Sequence, residues 1–207
     1  MPGADGLLGA VPALERAVGE VAARLARVTV HVRADARSAG AGVVWLRDGV
    51  IVTNAHVAAT PRADIVLPDG RELAARVTAR DPRRDLALLT VAASELEAAL
   101  RADARGLRPG ELLVALGHPF GVAYSAALGV VHRAPSAVRG PGGWLHADIR
   151  LAPGNSGGPL ADSSGRVVGI NAMIVNGLGI AVPTHVVERF VREAMSDRRR
   201  SGGVRAA

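Results

Sequence analysis

The stretch Gly42-Val-Val-Trp-Leu-Arg-Asp-Gly-Val-Ile-Val-Thr53 decides the fold class, because it places two short apolar runs on either side of a turn. The runs Gly42–Leu46 and Val50–Thr53 are rich in β-branched residues, which favour strands. Between them, Arg47-Asp48-Gly49 ends in glycine, the residue that most readily adopts the positive φ of a tight hairpin turn. The stretch therefore predicts a β-hairpin.

Similar runs flank this hairpin on both sides. The hairpin and four other predicted strands form a first set of six: Val28–Val32, Ile65–Leu67, Leu73–Ala79 and Asp85–Val91. Ser94–Gly110 has the character of a linker, and a second set of six follows it: Glu111–Leu116, Tyr124–His132, Trp144–Ile149, Pro159–Ala161, Arg166–Met173 and Gly179–Val182. Regularly spaced short strands with Gly, Pro and Asp turns favour barrels or sandwiches. The sequence therefore predicts an all-β fold of two six-stranded barrels.

A helix is predicted at each end of the chain. Near the N-terminus, apolar residues recur in steps of three and four, which indicates an amphipathic helix over about Pro12–Arg27. Thr184–Met195 is the second helix, with Thr184 as its candidate N-cap. The predicted organisation is an N-terminal segment at 1–27, a main domain at 28–195 and a basic flexible tail at 196–207. Within the main domain, barrel one covers about 28–93, barrel two about 111–183 and the helix about 184–195.

Composition excludes several classes of protein. The chain has no cysteine, so disulfides and thiolate metal sites are absent. Its net charge of +6 comes from arginines that are scattered along the sequence, which argues against a nucleic-acid-binding surface. No apolar run is long enough to span a membrane, so stable membrane insertion is not expected. No export signal is evident in the short, glycine-rich start, which favours the cytoplasm; the alternative is an exported protein whose signal is omitted.

The strongest chemical signal is Pro153-Gly-Asn-Ser-Gly-Gly-Pro-Leu160. A serine hydroxyl becomes a good nucleophile when a base takes its proton and backbone N–H groups stabilise the oxyanion that forms. The glycines around Ser156 allow the chain to bend so that the amides of Gly154 and Ser156 point into one cavity. The alternative is a glycine-rich turn that contains serine by chance.

The base is predicted to be His56. It directly follows a strand end in Val52-Thr-Asn-Ala-His56, where a loop can present it at a barrel rim. The other histidines lie within predicted strands, in a Gly-His-Pro turn or at the start of the last helix: His31, His118, His132, His146 and His185. A histidine in such a loop can also be purely structural.

Asp85 is the predicted partner of this base. It precedes the apolar run Leu86-Ala-Leu-Leu89, so its carboxylate should be partly buried and should need a donor such as an imidazole N–H. It would hold the imidazole in one tautomer and stabilise the imidazolium. Asp81 is the competing carboxylate, but it precedes Pro82 in a basic turn and is expected to be a solvated turn residue paired with Arg83 or Arg84.

Taken together, Thr53-Asn-Ala-His56, Asp85-Leu-Ala-Leu-Leu89 and Gly154-Asn-Ser-Gly-Gly158 resemble the protease domain of the HtrA (DegP-like) family of trypsin-like serine proteases. Six further strings support the resemblance over about residues 28–195: Gly40-Ala-Gly-Val-Val44, Leu67-Pro-Asp-Gly-Arg71, Asp81-Pro82, Leu116-Gly-His-Pro-Phe-Gly121, Val168-Gly-Ile-Asn171 and Gly177-Leu-Gly-Ile-Ala-Val-Pro183. The resemblance implies a chymotrypsin-like double β-barrel with its active site in the cleft between the barrels, and neither a cofactor nor a metal.

The resemblance also implies roles for individual residues. His56, Asp85 and Ser156 would be catalytic, and the backbone of Gly154, Asn155 and Ser156 would form the oxyanion hole. Leu151 would line the pocket for the residue that precedes the cut bond, which predicts an aliphatic preference. Leu178, Gly179 and Ile180 would form the strand edge to which an extended peptide substrate adds.

Unfolded or damaged polypeptides are the partners that the resemblance implies. The match is to the protease domain alone, without a PDZ domain. No aromatic residue precedes Trp45, so homo-oligomerisation through the aromatic residues of the family's trimer contact is not supported. His118 stands where asparagine is common in the family. The rival function is a peptide-binding module on an inactive protease scaffold, which the complete set of three catalytic residues disfavours.

Overall fold

Residues 4–34, 39–118, 124–135 and 143–203 are described by the computed structural model. They form two closed antiparallel barrels of six strands each, with a helix at either end, which confirms the predicted fold class. Residues 119–121 of the quoted Leu116–Gly121 string and residues 204–207 of the predicted tail lie outside the described residues. None of the helices in these ranges has both the length and the apolar character needed to cross a membrane.

The first barrel contains six strands: β1 Thr29–Arg33, β2 Ala39–Leu46, β3 Val50–Thr53, β4 Arg62–Val66, β5 Glu72–Asp81 and β6 Leu86–Val91. The spatial order is β1-β2-β3-β6-β5-β4, and pairing of β1 with β4 closes the barrel. The predicted hairpin is present, since Leu46 pairs with Val50 and Gly49 has a φ of 86°. The strand β3 has its predicted bounds, and the ends of the other strands differ from the prediction by at most three residues.

The second barrel also contains six strands: β7 Leu112–Gly117, β8 Ser125–Arg133, β9 Leu145–Asp148, β10 Pro159–Asp162, β11 Val167–Val175 and β12 Leu178–Pro183. Their order is β10-β11-β12-β9-β8-β7, closed by pairing of β10 with β7. Between β11 and β12, Asn176 and Gly177 both have positive φ, which suits a two-residue hairpin turn.

Both helices are longer than the sequence predicted. The helix α1 runs from Ala4 to Ala26, so it begins eight residues before the predicted start at Pro12 and contains that proline in its interior. The helix α2 runs from Thr184 to Gly203, so it continues through most of the predicted flexible tail; Arg and Ser there are compatible with a helix. The Thr184 hydroxyl donates to the Ala102 carbonyl at 2.6 Å, which ties α2 to the linker.

Three apolar clusters form the core. One fills barrel one around Val30, Ile51 and Leu89, and another fills barrel two around Leu113 and Leu145. The third lies between the barrels and combines residues of both with residues of both helices: Val21 and Leu25 of α1, Val43 and Leu86 of barrel one, Leu116 and Ile170 of barrel two, and Val187 and Phe190 of α2. The barrels are therefore packed directly against each other, and both helices share this interface.

Candidate active site

His56 and Asp85 are brought together at the rim of barrel one. His56 lies in the turn after β3, and its Nδ1 is 2.9 Å from Asp85 Oδ2 and 3.0 Å from Oδ1. The backbone N–H of His56 also donates to Oδ1 at 3.1 Å. The His56 side chain is 50% exposed and that of Asp85 is 14% exposed, so the imidazole faces the solvent while the carboxylate behind it is largely covered.

Asp81, the competing carboxylate, is engaged in its own turn. Its Oδ1 accepts the backbone N–H groups of Arg83 and Arg84, and its Oδ2 forms an ion pair with the Arg84 guanidinium at 3.4 Å. These contacts match the structural role expected of it and leave Asp85 as the carboxylate that contacts His56.

Ser156 lies in a loop made of two consecutive turns. In the first, the Asn155 N–H donates to the Ala152 carbonyl at 3.0 Å, and Gly154 at the third position has a φ of 104°. In the second, the Gly158 N–H donates to the Asn155 carbonyl at 3.0 Å, and Gly157 has a φ of 83°. A glycine at the third position permits this backbone geometry in both turns.

The predicted oxyanion hole is only partly free. Within the described part of the chain, the N–H groups of Gly154 and Ser156 have no hydrogen-bond acceptor. The prediction for Asn155 is wrong, because its N–H is already donated to Ala152 within the first turn. Two amides, rather than three, are therefore available to a developing oxyanion.

The hydroxyl of Ser156 is hydrogen-bonded to the main chain of β11 and not to the imidazole of His56 among the described residues. Ser156 Oγ donates to the Ala172 carbonyl at 3.1 Å, and among the described residues no hydrogen bond joins it to His56. Catalytic hydrogen bonds are often long or misaligned before substrate binds. Rotation about the Cα–Cβ bond of Ser156 moves the hydroxyl without moving the backbone.

A pocket of about 250 Å³ opens beside Ser156. Leu151, predicted to line such a pocket, is on its wall together with Ala152, Met173 and Ile174. Gly179 borders Leu151, since a Cβ at Gly179 would lie 3.1 Å from Leu151 Cδ1. Apart from Asn155, Ser156 and Asn171, the lining is apolar, and it carries no carboxylate among its described residues.

The strand edge next to this pocket is not the predicted one. Gly179 and Ile180 pair with β11 on one side and with β9 on the other, so they cannot accept a further strand. The end of β11, Met173–Val175, pairs only with β12 among the described strands, which leaves its other edge open, and Ala172 before it lies at an irregularity in the pairing. Met173, Ile174 and Val175 are exposed. This exposed apolar run before the Asn176-Gly177 turn is the signal that sequence analysis missed.

His118 lies under the nucleophile loop. Its backbone N–H donates to the Gly154 carbonyl at 3.1 Å, and its buried ring stacks on His31 of barrel one with ring centres 5.0 Å apart. Burial, followed by repulsion from His31, lowers the pKa of His118 to about 4. The His118 ring is therefore neutral at neutral pH, while the backbone N–H of the same residue holds the Gly154 carbonyl.

Comparison with known proteins agrees with this geometry. Residues 40–170 match the family model of the trypsin-like peptidase domain. A probable periplasmic serine endoprotease, DegP-like, of Marinomonas sp. (strain MWYL1) is 37% identical over 173 residues, which are 77% of this chain and 36% of the relative. The DegP-like protein of Pseudomonas fulva (strain 12-X) is 39% identical over 73% of this chain and 34% of its own length.

A solved structure of the HtrA-type protease AlgW with a decapeptide is similar as well. It has a TM-score of 0.77 and 25% sequence identity, over 86% of this chain and 67% of that one. The resemblance to the HtrA family that the motifs indicated is confirmed by these relatives. The chain spans about a third of the length of the curated relatives that it matches.

Proposed function

The chain belongs to the trypsin-like peptidase domain family, and from that premise we propose that it is a serine endopeptidase acting through His56, Asp85 and Ser156. The observation that carries the proposal is the contact between His56 Nδ1 and Asp85, and the two amides of the Ser156 loop that have no acceptor among the described residues support it. A carboxylate on Nδ1 leaves Nε2 as the atom that can accept a proton from the serine hydroxyl.

The proposed reaction has two halves. Ser156 Oγ attacks the carbonyl carbon of the substrate while His56 Nε2 takes its proton, and the N–H groups of Gly154 and Ser156 hold the oxyanion. The tetrahedral intermediate then collapses, His56 protonates the leaving amine, and the acyl group stays on Ser156. Water, deprotonated by His56, attacks this ester and regenerates the free serine.

The substrate is proposed to be an extended polypeptide, as in an unfolded or damaged protein. The open edge at Met173–Val175 offers backbone groups to such a strand, next to the nucleophile. The aliphatic pocket at Leu151 would take the side chain before the cut bond. A folded domain would not supply an unpaired strand for this edge.

Export to the periplasm is proposed over a cytoplasmic location. The DegP-like relatives are named as periplasmic proteins, and the cytoplasmic expectation from the N-terminal sequence has no support among them. Cell fractionation of a host that expresses the full gene product, with a cytoplasmic marker enzyme as control, would test this.

A peptide-binding module without catalysis is the second candidate. The hydrogen bond from Ser156 Oγ to Ala172, instead of to His56, is the observation that favours it. Labelling with a fluorophosphonate separates the two candidates, because only an activated serine reacts at an appreciable rate. We expect one label per chain at Ser156, and an unlabelled folded protein would exclude the peptidase.

A further inference from the structure

Asn54 is a fully buried polar residue that contacts the main chain of Asp85. Its side chain is 0% exposed, and Nδ2 donates to the Asp85 carbonyl at 2.9 Å. A backbone carbonyl can only accept, so the chemistry fixes the orientation of the amide. Asn54 stands two residues before His56, in the turn that presents the imidazole.

Asp85 has a backbone conformation that needs such support. Its φ is 52°, in the left-handed region that residues other than glycine adopt only at an energetic cost. The residue is attached to the 54–56 segment at two points: the Asn54 amide holds its carbonyl, and the His56 N–H holds its carboxylate. The direction of the carboxylate thus depends on a backbone that Asn54 restrains.

The segment that carries Asn54 is itself well anchored. The Asn54 carbonyl accepts the Ala58 N–H at 3.1 Å, and the Ala55 carbonyl accepts Nε and Nη2 of Arg80 at 3.1 and 2.9 Å. The segment that carries Asn54 is therefore held in place by contacts other than the one to Asp85, so the Asn54 side chain can restrain the Asp85 backbone.

The two ends of the Asn54 amide differ in their contacts. Among the described residues, Asn54 Oδ1 is buried and has no hydrogen-bond partner. A buried acceptor without a partner lowers stability. The one side-chain hydrogen bond that Asn54 makes among the described residues is therefore the bond from Nδ2 to the Asp85 carbonyl.

We propose that Asn54 is a positioning residue for catalysis: its side-chain amide holds Asp85 in the left-handed conformation that directs the carboxylate to His56 Nδ1. This inference rests on the proposed peptidase function. Asn54 is fully buried and, among the described residues, forms no hydrogen bond with the His56 ring, so it would act through Asp85. Its loss should lower turnover and leave substrate binding unchanged.

The test compares two variants that lack the donor, Asn54→Leu and Asn54→Ala, with the wild-type chain on an activated ester and on a peptide substrate. We expect kcat to fall by about 10- to 100-fold, the scale of a misplaced catalytic group, with KM within about twofold of wild type. Alanine is smaller than asparagine and cannot clash in the buried site. The Asn54→Ala variant therefore remains informative if leucine impairs folding.

Thr29→Val is the matched control. Thr29 is equally buried and also donates a side-chain hydrogen bond to a backbone carbonyl, that of Leu25, at 2.8 Å. It should lower the thermal midpoint without changing kcat. The proton NMR signal of the Nδ1–H group, which lies far downfield when bonded to a carboxylate, should change in the Asn54 variants and persist in Thr29→Val.

A double-mutant cycle with Asp85→Asn shows whether Asn54 acts through Asp85. Loss of the carboxylate should lower kcat by about 10⁴-fold. Adding Asn54→Leu to that background should cost less than about threefold more. An equal loss in both backgrounds, or folded Asn54 variants with the wild-type kcat and Nδ1–H signal, would overturn the inference. A wild-type chain that hydrolyses neither substrate would instead overturn the proposed function.

Discussion

The backbone N–H of Ala41, in the first barrel, donates a 2.8 Å hydrogen bond to the carbonyl of Ser156, in the second. Gly40 permits the close approach, since a Cβ there would lie 2.8 Å from the same oxygen. The strand β2 that makes this contact is the neighbour of β3, which ends just before His56. This bond therefore connects the nucleophile loop of the second barrel to the strand that lies next to β3 in the first.

Replacing Ser156 by alanine should abolish hydrolysis. Loss of the nucleophile of a catalytic triad lowers kcat by about a millionfold. Casein digestion followed by release of soluble peptides measures the effect. Ser196→Ala, at an exposed serine of α2 that bonds only within its helix, is the control and should keep full activity. Undiminished digestion by the Ser156 variant would exclude the mechanism.

Gly154→Ala should lower kcat by about 10²- to 10³-fold, which is the usual cost of losing one oxyanion donor. The φ of 104° at Gly154 is unfavourable for alanine, so the turn must change and its N–H moves. Gly70→Ala carries similar backbone strain at a φ of 85°, has no atom within 4 Å of the new Cβ and lies in the turn between β4 and β5. Steady-state kinetics should separate the two, and equal kcat values would contradict the assignment of Gly154.

Leu151→Ala should shift cleavage towards larger residues before the cut bond. The wild-type pocket is aliphatic and narrow, so a peptide library should show cleavage after small or medium aliphatic side chains. Truncation of Leu151 widens the wall beside Ser156. Leu128→Ala, at an exposed position of β8, is the control and should keep the wild-type profile. Cleavage mainly after Arg or Lys would refute the pocket assignment.

Protonation of His118 should lower the free energy of unfolding in acid. Because burial holds its pKa at about 4, the unfolded chain binds a proton between about pH 6.5 and 4 that the folded chain does not. The free energy of unfolding is therefore fully retained above about pH 6.5, and up to roughly 3 kcal/mol is lost as the pH falls to 4. His31, whose pKa burial and Arg33 also lower, adds to this loss.

The measurement is urea unfolding of the wild type and His118→Asn at about pH 7 and about pH 4.5. The variant should lose less stability between the two pH values. His132→Asn, at an exposed histidine of β8, is the control. The same acid loss in His118→Asn as in the wild type would show that the ring is not kept neutral by its burial.

The sequence predicted the strands well because their patterning is local. Apolar runs bounded by Gly49, Gly70 and Gly165 correspond to observed strands, and each of these glycines has positive φ in a turn. The pairing of His56 with Asp85 could also be anticipated, since a partly buried carboxylate needs a donor. Helix ends were less certain, because the charged residues after Met195 are compatible with either a helix or a tail.

The strand edge for substrate depended on tertiary structure. Which strand has a free side is decided by sheet order, and β12 is covered by β9, which precedes it by some thirty residues. The engagement of the Asn155 N–H could be predicted from the sequence, because Pro153-Gly154 at the centre of a turn favours a bond from that N–H to the Ala152 carbonyl. Asn54 gave no signal in the sequence, because its importance lies in a contact with residue 85.

The apolar cluster between the barrels limits how this protein could be divided or recombined. Residues of both barrels and both helices share that one interface, including Leu25, Leu86, Ile170 and Phe190. Expressing either half alone would expose its apolar interface residues to water, and these exposed residues would promote aggregation. A chimaera that exchanges one barrel with that of a relative would need the matching residues on the opposite side as well, so the two halves are expected to evolve as a pair.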